Sequence, residues 1–124
     1  MTRDPRSDPN CIFCKIVAGQ IPAKKAYEDD EVLAFHDIRP QAPVHLLVIP
    51  KTHVANLYDA GPEHIPALGK MLAVAGRLAT ESGATEGFRT IINNGEVGHQ
   101  EVYHVHMHVL GGPEPLGPML SRRK

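Results

Sequence analysis

The sequence predicts an α+β domain in which an antiparallel sheet of about five strands is covered by one long helix and one short N-terminal helix. Three observations predict it. Two short strand candidates at 25–28 and 32–36 flank the turn-forming Asp29-Asp30, and a nearly continuous apolar run follows at 44–49. One long amphipathic stretch follows Gly61-Pro62. The pattern then returns to alternation at 88–93 and 102–110 before Gly111-Gly112-Pro113 stops it.

Taken in order, residues 1–10 are polar, carry Pro5 and Pro9, and are expected to form a flexible arm ahead of a single domain over 11–124. Asn10 is placed to cap a short helix whose Ile12, Phe13, Ile16 and Val17 share one face and which Gly19 ends. Asp29-Asp30 turns the first strand into the second, and Pro50 ends the nearly continuous apolar third strand. In the long helix Ile65, Leu68, Leu72, Ala75 and Ala79 form the predicted apolar stripe, with Gly83 beyond its end. Residues 94–100 read as a glycine-containing loop.

Bulk properties exclude several classes of function. A chain of 124 residues with 42% hydrophobic content suits one core. A net charge of -1 lacks the general attraction to polyanions on which nucleic-acid binders rely, so no nucleic-acid partner is expected. The N-terminus has no apolar leader and no run approaches the roughly 20 residues of a membrane span, which predicts a cytoplasmic protein without a membrane partner. In that compartment Cys11 and Cys14, spaced Cys-x-x-Cys, serve metal or redox chemistry more often than a disulfide.

The 8 histidines are the informative residues, because imidazole titrates, ligates metals and attacks phosphorus near neutral pH. His104, His106 and His108 alternate with Tyr103, Val105, Met107 and Val109. On a strand this alternation sends the apolar set to the core and the imidazoles to the other face, roughly 6.6 Å apart. Three histidines on one catalytic zinc are disfavoured, because the outer two start roughly 13 Å apart while Zn–N bonds measure about 2.0–2.1 Å. The competing use makes one imidazole a nucleophile that takes a nucleotidyl group, with its other nitrogen protonated and held by an acceptor.

With His104 to Val109 followed by Leu110-Gly111-Gly112, the chain resembles the histidine-triad family, and within it the Hint branch of purine nucleoside phosphoramidases. Ile21-Pro22-Ala23-Lys24, Ala34-Phe35-His36-Asp37-Ile38, Pro40-Gln41-Ala42-Pro43 and His45-Leu46-Leu47-Val48-Ile49-Pro50-Lys51 are similar to Hint segments in order and spacing. The resemblance implies the histidine-triad fold, a homodimer, and hydrolysis of purine nucleoside 5′-phosphoramidates through nucleotidyl-His106. It makes His108 a phosphate contact, sets His45 close to His106, and has Asp37 accept from the ribose hydroxyls. Phe13, Ile16, Phe35 and Ile38 would form the purine slot, with Asn93 and the backbone of His99, Gln100 and Glu101 near the phosphate. Dinucleoside polyphosphate hydrolysis is the neighbouring activity. A metallohydrolase, or a zinc-containing nucleotide-binding module with little turnover, stands as a different class.

Three departures concern the leaving group. Glu101 stands where Hint proteins usually have serine, His99 where they have glycine, and the tail from Pro113 to Lys124 lacks their tryptophan. Bacterial members of the family in which Cys-x-x-Cys and two histidines hold zinc are matched by Cys11, Cys14, His53 and His104. The resemblance thus implies a structural Zn²⁺ that takes the first triad histidine, and chemistry that needs no metal.

Overall fold

The third strand explains the layering. A run that is apolar on both faces must be covered on both. In the computed structural model, which describes residues 7–120, all seven residues of β3, Val44–Pro50, are buried. It lies between β2 (Val32–His36) and β5 (Met107–Gly111) in an all-antiparallel sheet that β1 (Lys25–Glu28) and β4 (Phe88–Ile92) complete, in the order β1-β2-β3-β5-β4.

One helix covers each face. α2, Ile65–Glu81, is preceded by a 3₁₀ turn at Pro62–His64 and packs Met71, Ala75, Leu78 and Ala79 against Val32, Ala34, Val44, Leu46, Val48, Met107 and Val109. α1, Ile12–Val17, packs Phe13 and Ile16 against Leu33, Phe35, Leu47 and Ile49 on the opposite face. Strand alternation therefore puts His45 of β3 and His108 of β5 on the α1 face.

The elements match expectation, with four local corrections. β5 begins at Met107 rather than at residue 102, because its partner β3 ends at Pro50, which has no N–H for further pairing and gives its carbonyl to the His104 ring. Tyr103 consequently lies in a bend and is 48% exposed instead of in the core. The buried stripe of α2 runs through Met71 and Leu78, leaving Ile65 and Leu72 exposed. The cap of α1 is Cys11, whose Sγ accepts from Cys14 N–H, not Asn10.

Residues 1–6 of the expected arm lie outside the described residues. Asp8 is tied to α1 through its carbonyl, which accepts from Cys11 N–H, and its N–H, which points at Cys14 Sγ. No helix of the described residues is long and apolar enough to cross a membrane.

Candidate functional site

The α1 face holds two clusters of ligating side chains, with His106 between them. Both clusters could in principle take a cation, and the hydrogen-bond donors around each decide the matter.

The first cluster joins the start of the chain to its end. Cys11 Sγ lies 3.3 Å and Cys14 Sγ 3.5 Å from His104 Nδ1, Cys14 Sγ lies 3.4 Å from His53 Nδ1, and the two Nδ1 atoms are 3.3 Å apart. With Zn–N near 2.05 Å and Zn–S near 2.3 Å, a tetrahedron has edges of about 3.3 Å between nitrogens and about 3.5 Å between nitrogen and sulfur. The observed spacings are those edges. His104 Nε2–H donates to the Pro50 carbonyl at 2.7 Å, so its Nδ1 carries an inward lone pair, and His53 Nε2 faces the Asp8 carboxylate at 4.0 Å. Burial lowers the His104 imidazole to about 4 and raises the Cys11 thiol to about 11, so without a cation these two groups are neutral at pH 7. Two imidazole lone pairs facing two thiols are what a bound cation reconciles, since it favours thiolate. The residues fit zinc.

The second cluster does not. His45 Nδ1 accepts from Gln41 N–H at 2.9 Å, which puts the ring proton on Nε2. That proton points at His108 Nδ1, 2.9 Å away, with the Asp37 carboxylate at 3.4 Å. A metal on His45 Nε2 would strip the ring of its only proton or force a proton against Gln41 N–H. Gln41, His45 and His108 instead form a hydrogen-bonded chain, flanked by the Asp37 carboxylate, whose outer end is His108 Nε2–H. Burial, with the His106 and His45 rings adding, holds His108 at about 4, and burial also lowers His45, so both rings are neutral at pH 7.

His106 is buried, and its Nδ1–H donates to the His104 carbonyl at 2.9 Å. The lone pair is thereby left on Nε2. Its ring meets Phe13 edge-on at 5.2 Å between centroids and His108 at 5.1 Å. Both rings border a cavity of about 270 Å³ whose walls include Phe13, Ile16, Phe35, Asp37, Ile38 and Glu101. The cavity is apolar along α1 and β2 and polar where the histidines enter.

The structure thus gathers most of the predicted residues but divides the three histidines. His104 belongs to the cysteine cluster, His108 to the chain through His45, and His106 lies between. The close neighbour of His45 is His108, where His106 was expected. Ile38 stands at the rim, 92% exposed. Asn93, His99 and Gln100 do not line this cavity. The Gln100 side chain is a buried tie: its Nε2 donates to the Ala55 and Val102 carbonyls, and its Oε1 accepts from Gly95 N–H and Asn56 Nδ2. The sequence did not point to Ile12, Ile21, Pro22, Ala23, His36, Leu47 or Val102 in the lining. His36 follows the buried Phe35 at the end of β2, and strict alternation would send it to the opposite face, so the sequence carried no signal for it.

Comparison with known proteins agrees with this geometry. The HIT domain family matches residues 18–114. The chain is 50% identical over 113 residues to a purine nucleoside phosphoramidase of Escherichia coli K12, covering 90% of this chain and 94% of that protein. It is 50% identical over 109 residues to a 14 kDa zinc-binding protein of Brassica juncea, covering 86% and 96%. A solved HIT family hydrolase of Clostridium thermocellum superposes with a TM-score of 0.87 at 40% identity, covering 93% of this chain and 100% of that one. With the family match over residues 18–114 and a relative 50% identical across 94% of its length, the chain belongs to the HIT domain family.

Proposed function

We propose that this HIT-family hydrolase cleaves purine nucleoside 5′-phosphoramidates, nucleotides whose α-phosphate is linked to an amine, through a nucleotidyl intermediate on His106. The observation that carries the reading is the His106 ring, fixed by its Nδ1–H bond to the His104 carbonyl so that the Nε2 lone pair is free beside an apolar slot. Phe13, Ile16 and Phe35 take the base, and Asp37 takes the ribose hydroxyls. The Asp37 Oδ1 atom already accepts from Arg39 N–H, which holds the carboxylate at the rim.

In the first step a bond forms between His106 Nε2 and phosphorus, and the P–N bond to the amine breaks. The electron pair stays on the amine nitrogen, which takes a proton from solvent. His108 Nε2–H, the outward end of the Gln41–His45–His108 chain, is the donor available to the phosphate oxygens. Water then attacks phosphorus and gives up a proton to solvent while the P–N bond to His106 breaks, and the pair returns to Nε2. A 50% identical relative named purine nucleoside phosphoramidase supports this substrate class.

A zinc ion held by Cys11, Cys14, His53 and His104 would have no open coordination position, so its contribution is structural. The outer edge of β4 is unpaired among the described residues, and Phe88 on that strand is exposed, as are Ile65 and Leu72 of α2. A homodimer through that edge follows, and a monomer by light scattering at micromolar concentration refutes it.

The reaction is tested by mass spectrometry of protein quenched during turnover of adenosine 5′-phosphoramidate. A covalent AMP adduct on His106 is expected, with a loss on the order of 10⁶ in His106→Asn. An active His106→Asn enzyme overturns the assignment.

A further inference from the structure

Among the described residues the walls around the triad are short of cations. Among them Asp37 and Glu101 are the only Asp, Glu, Lys or Arg residues lining the nucleotide cavity. Beside it lies an open groove of about 440 Å³ lined, among the described residues, by Glu96, His99, Gln100, Glu101 and Tyr103, again without lysine or arginine. Glu101 borders both spaces. The base and ribose are accounted for on the α1 and β2 side, so the groove past Glu101 is the space open to whatever leaves the phosphorus.

On the reading of the reaction given above, we infer that Glu101, with Glu96 behind it, selects the leaving group by charge, favouring an amine that carries a further positive charge and rejecting polyanions such as a nucleoside polyphosphate. Among the described residues, two carboxylates and no lysine or arginine stand where a polyphosphate would need Lys or Arg. An ammonium at the far end of an alkylamine reaches the groove and finds both carboxylates, with the exposed Tyr103 ring alongside. His108 feels the same field: the Glu101 charge opposes, in part, the lowering of its proton affinity by burial and by His106 and His45.

The test uses three AMP phosphoramidates with alkyl chains of one length ending in ammonium, methyl or carboxylate. Binding is measured by calorimetry on full-length His106→Asn protein, with and without Glu101→Gln, and kcat/KM on the wild-type protein. Two exposed unit charges meeting at water-like dielectric predict that the ammonium compound binds about fivefold to tenfold tighter than the carboxylate one. The ratio should fall with added salt, fall in the Glu101→Gln variant, and approach one when Glu96→Gln is added to it. Equal binding of all three, or a ratio that Glu101→Gln leaves untouched, overturns the inference. Charge-dependent binding without wild-type turnover of any of the three supports the inference and overturns the reaction; absence of binding by all three overturns both.

Discussion

Removing the metal should cost this protein its nucleotide before it costs it its chemistry. The six residues of α1 carry Cys14, Phe13 and Ile16, with Cys11 at the cap, so one turn of helix both closes the ligand cluster and walls the slot. A helix this short is not stable by itself. Burying Phe13 and Ile16 contributes about 3–6 kcal/mol, against about 6–12 kcal/mol for fixing six backbone units. α1 is thus marginal without a bond from its cysteines to His53 and His104. Chelation, or Cys14→Ser, should speed amide hydrogen exchange in residues 12–17, leave exchange in β2, β3 and β5 nearly unchanged, and weaken AMP binding about tenfold or more. The kcat at saturating substrate should change far less than KM. Metal-free protein with α1 still protected and full AMP affinity would refute the reasoning. Loss of kcat at saturation with affinity retained would instead favour a metallohydrolase.

His45→Phe removes the donor to His108 Nδ1 and should lower kcat about 10–100-fold, part of the contribution expected of an acid–base group, while His45→Gln, with an N–H near the same place, recovers some of it. Steady-state kinetics on the pair check this, and equal losses in both variants refute it. Acid should destabilise the fold through His108, held at about 4 against 6.5 for a free imidazole. Because the folded value is depressed, its contribution is full above 6.5, is lost as pH falls from 6.5 to 4, and does not change further below. Discounted for its partial exposure, it amounts to about 1–2 kcal/mol, read as the difference in urea denaturation between wild type and His108→Gln at pH 7 and pH 5. Gln100→Ala orphans four polar groups under the 94–100 loop and should cost about 2–4 kcal/mol, roughly 10 °C in Tm by calorimetry.

Much of this architecture is legible in the residues because period and punctuation agree. β2 and β3 are bounded by Asp29-Asp30 and Pro50, and α2 by Pro62 and Gly83, so local and global preferences coincide. Misreadings arise where a distant partner decides. Whether residues 102–106 pair as a strand depends on Pro50, which is more than fifty residues away. Which face of α2 is buried depends on Val32, Val48 and Met107, so Met71 wins over Leu72. The division of the triad is invisible to spacing, since His104, His106 and His108 look equivalent on a strand. It follows from the Pro50 carbonyl turning one ring toward the cysteines and from Gln41 N–H fixing another through His45. Gln100 looks like a loop residue because its four partners come from 55–56, 95 and 102.

The order in which the sheet is threaded bears on how the protein must be made. β5 is the last strand in the chain yet an inner strand of the sheet, and Cys11 meets His104 across a separation of 93 residues. On a translating ribosome the first cysteine is exposed early, and the imidazole it waits for comes almost last. Until then β3 and β4 are each short of a neighbour, two open edges with a tendency to find other chains. A product terminated before residue 107 would have no nucleophile partner in His108 and no ladder between β3 and β4, so it would be a target for proteolysis rather than a weak enzyme.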